Sequence, residues 1–126
     1  MRLHPLLPGL FVLATGCATA APELVGVTAR SMEDGYSCAV QQLNALGYTV
    51  EAGDREAGFV RGRKARPRLP TYMDVITVAV FQEAGQTRMR ATALMTTPEV
   101  EISGSDEAIA NGRTILTQCG VTLASR

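Results

Sequence analysis

The strongest strand signal in the pattern of apolar and polar positions lies between Val75 and Met95. The run Val75-Ile76-Thr77-Val78-Ala79-Val80-Phe81 is rich in β-branched residues and reads as a strand. Ala84-Gly85 predicts a reversal, and Thr87 to Met95 is then the returning strand. Pairing Gln82 with Thr87 places Ile76, Val78 and Val80 on one face with Ala93, Ala91 and Met89. The opposite face then holds Thr77, Ala79 and Phe81 beside Thr92, Arg90 and Arg88. One face is uniformly apolar and the other mixed, so the turn and the pattern agree on this register.

Around this hairpin the period changes. Tyr36, Ala39, Val40, Leu43 and Leu46 recur at helical spacing. Ser31 is placed to cap that helix, with Glu33 and Asp34 in its first turn, and Gly47 suits its left-handed stop. Ile109, Gly112, Leu116 and Cys119 form a second helical stripe with Ala108 and Ile115 beside it. Ser103 and Ser105 are candidate caps, and Gly120 ends the helix. Shorter strands are predicted at 24–29, 48–52 and 58–63, the last two joined by a turn over 53–57. Either Phe59 or Val60 could face inward, and residues 64–72, with Pro67 and Pro70, read as a loop.

The order (β)αββββα implies an α+β domain of two layers: an antiparallel sheet with both helices on one face. The helices are then antiparallel, which brings Cys38, early in the first, to the same end as Cys119, late in the second. A Cys38–Cys119 disulfide is expected, although Cys38 lies off the stripe of Tyr36, Val40 and Leu43. Two unpaired thiols are the alternative.

The N-terminal segment sets the compartment. Arg2 is followed by Leu3, Leu6, Leu7, Leu10, Phe11, Val12 and Leu13, the shape of a secretory signal. This run is shorter than the roughly 20 apolar residues that span a bilayer. Ala18-Thr19-Ala20 offers a signal-peptidase site after Ala20. Ala14-Thr15-Gly16-Cys17 resembles the lipobox of bacterial lipoproteins, with Leu13 one place further back than that family's usual leucine. The resemblance implies that Cys17 is acylated and becomes the first mature residue. In that family an aspartate after the cysteine marks inner-membrane retention. Ala18 stands there, which implies the periplasmic face of the outer membrane. The organisation expected is a signal peptide over 1–16, a lipidated cysteine and tether over 17–23, and one domain over 24–126.

A second resemblance lies in AVQQLNALGYTVEAGDREAGFVRGRKA, from Ala39 to Ala65, where a helix ends in Leu-Gly-Tyr and a hairpin carries Asp-Arg-Glu-Ala-Gly. The stretch is similar to small bacterial lipoproteins of unknown function. The element order is similar to the TBP-like domains and, in the cell envelope, to the helix-grip domains of the outer-membrane assembly lipoprotein BamC. A nucleic-acid partner is not expected. Of the twelve basic residues only Arg2 falls in the signal, and all twelve acidic ones follow it, leaving the remainder near −1. The only histidine is His4, so histidine-based acid–base or nucleophilic chemistry is excluded beyond the signal. No cofactor motif or metal-binding spacing is present, and no cofactor or metal is expected.

Candidate binding residues remain. Arg61, Arg63, Lys64, Arg66 and Arg68 form a basic run suited to anionic headgroups or an acidic partner. The same residues could instead be a solvated strand end neutralised by Glu51, Asp54 or Glu56. Phe81, Arg88 and Arg90 mark the mixed sheet face as an interaction surface. Asp54 and Glu56 read as an exposed turn, and Met73, Met89 and Met95 as core filler. The function expected is a non-enzymatic, membrane-tethered periplasmic interaction module that contacts an envelope protein or glycan. The alternative is a periplasmic module that binds a small ligand or lipid between sheet and helix.

Overall fold

A computed structural model describes residues 23–66 and 69–123. Cys17 and Arg68 lie outside these residues. The elements are β1 (Glu23–Thr28), α1 (Met32–Ala45), β2 (Thr49–Asp54), β3 (Phe59–Arg66), β4 (Leu69–Glu83), β5 (Gln86–Thr96), β6 (Glu101–Ser103), α2 (Asp106–Gln118) and β7 (Thr122–Leu123). All strands join one antiparallel sheet in the order β2-β3-β4-β5-β1-β7, and β6 also pairs with β5. Both helices pack on one face, as the pattern predicts: α1 over β2 to β4, and α2 over β4, β5, β1 and β7.

The β4–β5 hairpin has the predicted register. Gln82 pairs with Thr87, Ile76 with Ala93, Val78 with Ala91 and Val80 with Met89. These six inward residues are buried against Tyr36, Ala39 and Leu43 of α1 and Ala108, Ile115 and Leu116 of α2. The hairpin closes through Ala84 and Gly85, with φ of +52° and +76°. Positive φ at both central residues is the type I′ pattern, whose twist matches that of the flanking strands.

Several element limits differ from those expected. The predicted loop over 64–72 is largely strand, because β3 continues to Arg66 and β4 starts at Leu69. Ala65 pairs with Met73 and Arg66 with Leu69, so Pro70 stands in a shift of register, where its missing N–H is tolerated. The tract after Pro98 contains β6, and the residues after Gly120 add β7, both too short to show a period. The first strand begins at Glu23, inside the expected tether. In β3, Val60 faces inward and is buried while Phe59 is 37% exposed, which settles the open register.

Both helix caps are as expected. Ser31 Oγ accepts from Asp34 N at 3.1 Å, and Ser105 Oγ accepts from Ala108 N at 3.1 Å. Gly47 and Gly120 follow the two helices at positive φ. The buried side of α1 is Gly35, Tyr36, Cys38, Ala39 and Leu43, with Val40 at its margin. The stripe is thus rotated toward Cys38 relative to the predicted one, because Gly35 lets the helix lie close to Val80 and Met89. Cys38 is bonded to Cys119, with Cα atoms 5.8 Å apart across 81 residues of sequence.

Two outcomes follow from these features. Replacing both cysteines (C38S/C119S) is expected to lower stability by about 4 kcal/mol, the chain-entropy value for a loop of this length. Thermal melting that is unchanged in the variant, or in strong reductant, would show that the bridge adds nothing. Ala84 occupies a conformation that asparagine tolerates better, so Ala84→Asn is expected to add about 0.5 to 1 kcal/mol and raise Tm by several degrees.

Candidate functional site

The basic run lies on β3, and a strand turns successive side chains to opposite faces. Arg61 and Arg63 therefore point to the open face of the sheet, and Lys64 and Arg66 lie on parts of the strand near the helices. Glu51 sits in a bulge of β2 between Val50 and Ala52. It serves both outward arginines: Arg61 Nε is 3.1 Å from Oε1 and Arg63 Nε is 3.3 Å from Oε2. Arg61 also approaches Glu101 of β6 at 3.8 Å.

On the helix side the charges serve the helix ends. Lys64 Nζ donates to the Leu46 carbonyl at 3.1 Å, where the C-terminal carbonyls of α1 favour a cation. It also lies 5.6 Å from the Tyr48 ring centroid and 3.8 Å from Glu107. Arg66 Nη1 donates to Asp74 Oδ1 and Oδ2 at 3.3 and 3.4 Å. Asp74 is 4% exposed and also accepts from Ser105 Oγ at 3.2 Å. Its negative charge thus stands at the N-terminus of α2. Nearby, Asn111 Nδ2 donates to the buried Tyr48 hydroxyl at 3.0 Å. Burial pushes the Tyr48 phenol up from its ordinary value, and the Asn111 hydrogen bond opposes this in part.

The run expected as one patch is therefore divided: Arg61 and Arg63 on one face, Lys64 and Arg66 on the other. Neutralisation by Glu51 is as anticipated. Asp54 has a different task, since its Oδ1 accepts from Glu56 N and Ala57 N at 3.0 Å each and closes the turn. Asp74 escaped the sequence reading. Its signal was parity, because it precedes Ile76, Val78 and Val80 at the same inward spacing and is the only charge in that series.

The open face carries no helix. Phe59, Ala79, Arg90 and Val25 form one row across β3, β4, β5 and β1. Phe81, Arg88 and Val27 form the next. The Arg90 guanidinium lies 5.3 Å from the Phe81 ring centroid, a cation–π contact. Both arginines are loosely paired: Arg88 Nε is 3.9 Å from Glu83, and Arg90 Nη1 is 3.7 Å from Glu23. Arg88 Nε, like Arg61 Nε, is buried and has no hydrogen-bond partner among the described residues. Arg61 and Arg63 are held closer to their glutamate, so Arg88 and Arg90 are the more loosely paired arginines of this face.

Met89 is core, while Met73 and Met95 are half-buried. Among the described residues no group of three or more acidic, cysteine or histidine side chains is arranged to hold a metal ion. No helix among them is long and apolar enough to cross a membrane. No protein-family model matches the chain, and no curated protein matches it in sequence.

Two tests address the polar cluster. Asp74→Ala strips the Arg66 and Ser105 donors of their acceptor and is expected to cost about 2 kcal/mol, seen as a lower denaturation midpoint. A variant as stable as the parent would mean that the cluster is idle. The Tyr48 shift makes the unfolded chain ionise first as pH rises. Its contribution is therefore complete below about pH 10 and is lost as pH climbs above that. Tyr48→Phe should lose less stability between pH 9 and pH 11 than the parent does, measured by urea unfolding.

Proposed function

We propose that this protein is a non-enzymatic, membrane-tethered interaction module of the bacterial cell envelope. It is anchored by acylation of Cys17 at the periplasmic face of the outer membrane. The observation that carries the reading is the uncovered sheet face. It presents Phe59, Phe81, Arg88 and Arg90 together, and neither helix shields it.

The chemistry of that face describes its partner. Phe59 and the margins of Phe81, Val25 and Val27 offer apolar contact, and two loosely paired arginines offer sites for carboxylates. An envelope protein or glycan bearing acidic groups beside an apolar or ring surface meets both demands. The anchor reading is supported by the apolar leader, Gly16 before Cys17 and the small residues that follow. Several acyl chains, at about 0.8 kcal/mol per buried methylene, suffice to hold a domain at a bilayer.

Two measurements test this. The intact mass of protein purified from the host's membranes is expected to correspond to a chain beginning at acylated Cys17. A chain beginning at Ala21 without lipid would overturn the anchor. A photo-crosslinking residue at Phe59 or Arg90 should capture a defined envelope component in cells, while one at exposed Arg113 on α2 should not. Charge reversal, R88E/R90E, should cut that capture at least about tenfold. Equal capture from the helix side would place the contact elsewhere.

A further inference from the structure

Among the described residues the exposed large hydrophobics are Phe59, Val100 and Ile102. Two of the three fall in one short segment, Val100 at 56% exposure and Ile102 at 42%. That segment is a built turn. Thr97 N donates to the Val100 carbonyl at 2.9 Å, and Val100 N donates to Thr97 Oγ1 at 3.0 Å. β6 then pairs Glu101 with Thr96 and Ile102 with Met95, so the backbone holds both side chains at the tip of the sheet.

The position of this tip is informative. β1 and β6 share one edge of β5, with Glu23 opposite Thr92 and Ile102 opposite Met95. They are three residues apart along β5, about 10 Å at strand rise. β1 runs from this end toward the opposite one, so the chain joins the sheet beside the tip. Cys17 precedes Glu23 by six residues, which reach at most about 20 Å. An acyl anchor on Cys17 would thus hold this end of the domain at the bilayer. The disulfide and the turns at Arg55–Gly58 and Ala84–Gly85 lie at the far end.

We infer that Val100 and Ile102 form a membrane-contact tip, inserted at the headgroup boundary of the bilayer that holds the Cys17 anchor. This rests on the lipoprotein reading above. Glu99 and Glu101 flank the two apolar residues, and Lys64 and Arg66 at the same end are engaged with Leu46 and Asp74. The contact is therefore apolar and suits a zwitterionic surface. Two partly exposed aliphatic side chains are too little to recruit a free domain. They act because the anchor keeps them at high local concentration. The contact would orient the open sheet face roughly along the membrane normal, accessible to a partner in the periplasm.

The chain has no tryptophan, so one introduced at the tip reports alone. V100W, I102W and, at the far end, E56W are made in the acylated full chain and reconstituted in phosphatidylcholine vesicles containing brominated lipid. Quenching is expected to be at least about twofold stronger at 100 and 102 than at 56, and insensitive to 0.5 M salt. Quenching at 100 and 102 no stronger than at 56, in protein whose mass confirms the acyl chains, overturns the tip and leaves the anchor standing. Quenching that needs anionic lipid and vanishes in salt also overturns it, in favour of the basic residues. Native protein that lacks acyl mass at Cys17 removes both the anchor and the tip.

Discussion

The pairing of β4 with β5 is the constraint on which the rest depends. A two-residue turn fixes the register, and the register fixes which side of every strand meets the helices. Ile76, Val78 and Val80 then face the same layer as Met89, Ala91 and Ala93. A slip of β5 by one residue would exchange Met89, Ala91 and Ala93 for Arg88, Arg90 and Thr92. It would put two arginines under the helices and half of the hairpin's apolar face in water. β3 and β1 take their parity from this hairpin through Val60–Val78 and Leu24–Ala91.

The helix layer is fastened at its two ends by different chemistry. At one end Cys38–Cys119 joins α1 to α2 covalently, and Thr28 and Arg30 donate to the Cys119 carbonyl beside it. At the other end Lys64 serves the C-terminus of α1, and Asp74 serves the capping residue of α2. Between them the contact is apolar, with small residues where the layers approach. Gly62 of β3 is one such place, since a methyl group there would come within 3.1 Å of Leu43 and Tyr48. Charges on the helix side thus position helix ends, leaving the open face as the surface with side chains to spare for a partner.

Such a division suits a tethered module. A sheet covered on one side only must expose its other side to water or to another molecule. Here that side combines aromatic rings with arginines whose glutamate neighbours stand beyond hydrogen-bond distance. Anchoring at Cys17 would restrict the domain to one height above the bilayer, and a contact tip at Val100 and Ile102 would restrict its tilt as well. Affinity for a partner would then benefit from orientation imposed by the membrane.

Much of this was legible in the sequence because its causes are local. The hairpin register follows from Ala84-Gly85 and the alternation on either side. The helix limits follow from Ser31, Ser105, Gly47 and Gly120, and the disulfide follows from topology that parity and turn length constrain. The three-residue β6 and two-residue β7 had no period to display and form only because β5 and β1 offer unpaired edges. The division of the basic run was hidden by Pro67 and Pro70, which read as a loop, whereas β3 runs to Arg66 and β4 starts at Leu69. That Asp74 is buried with Arg66 and Ser105, and that Val100 and Ile102 stand beside the start of β1, join residues far apart in the chain. Spacing determined the faces, caps and turns. Only tertiary packing decided which charges became structural and which remained on the surface, because burial and distance are properties of the assembled layers.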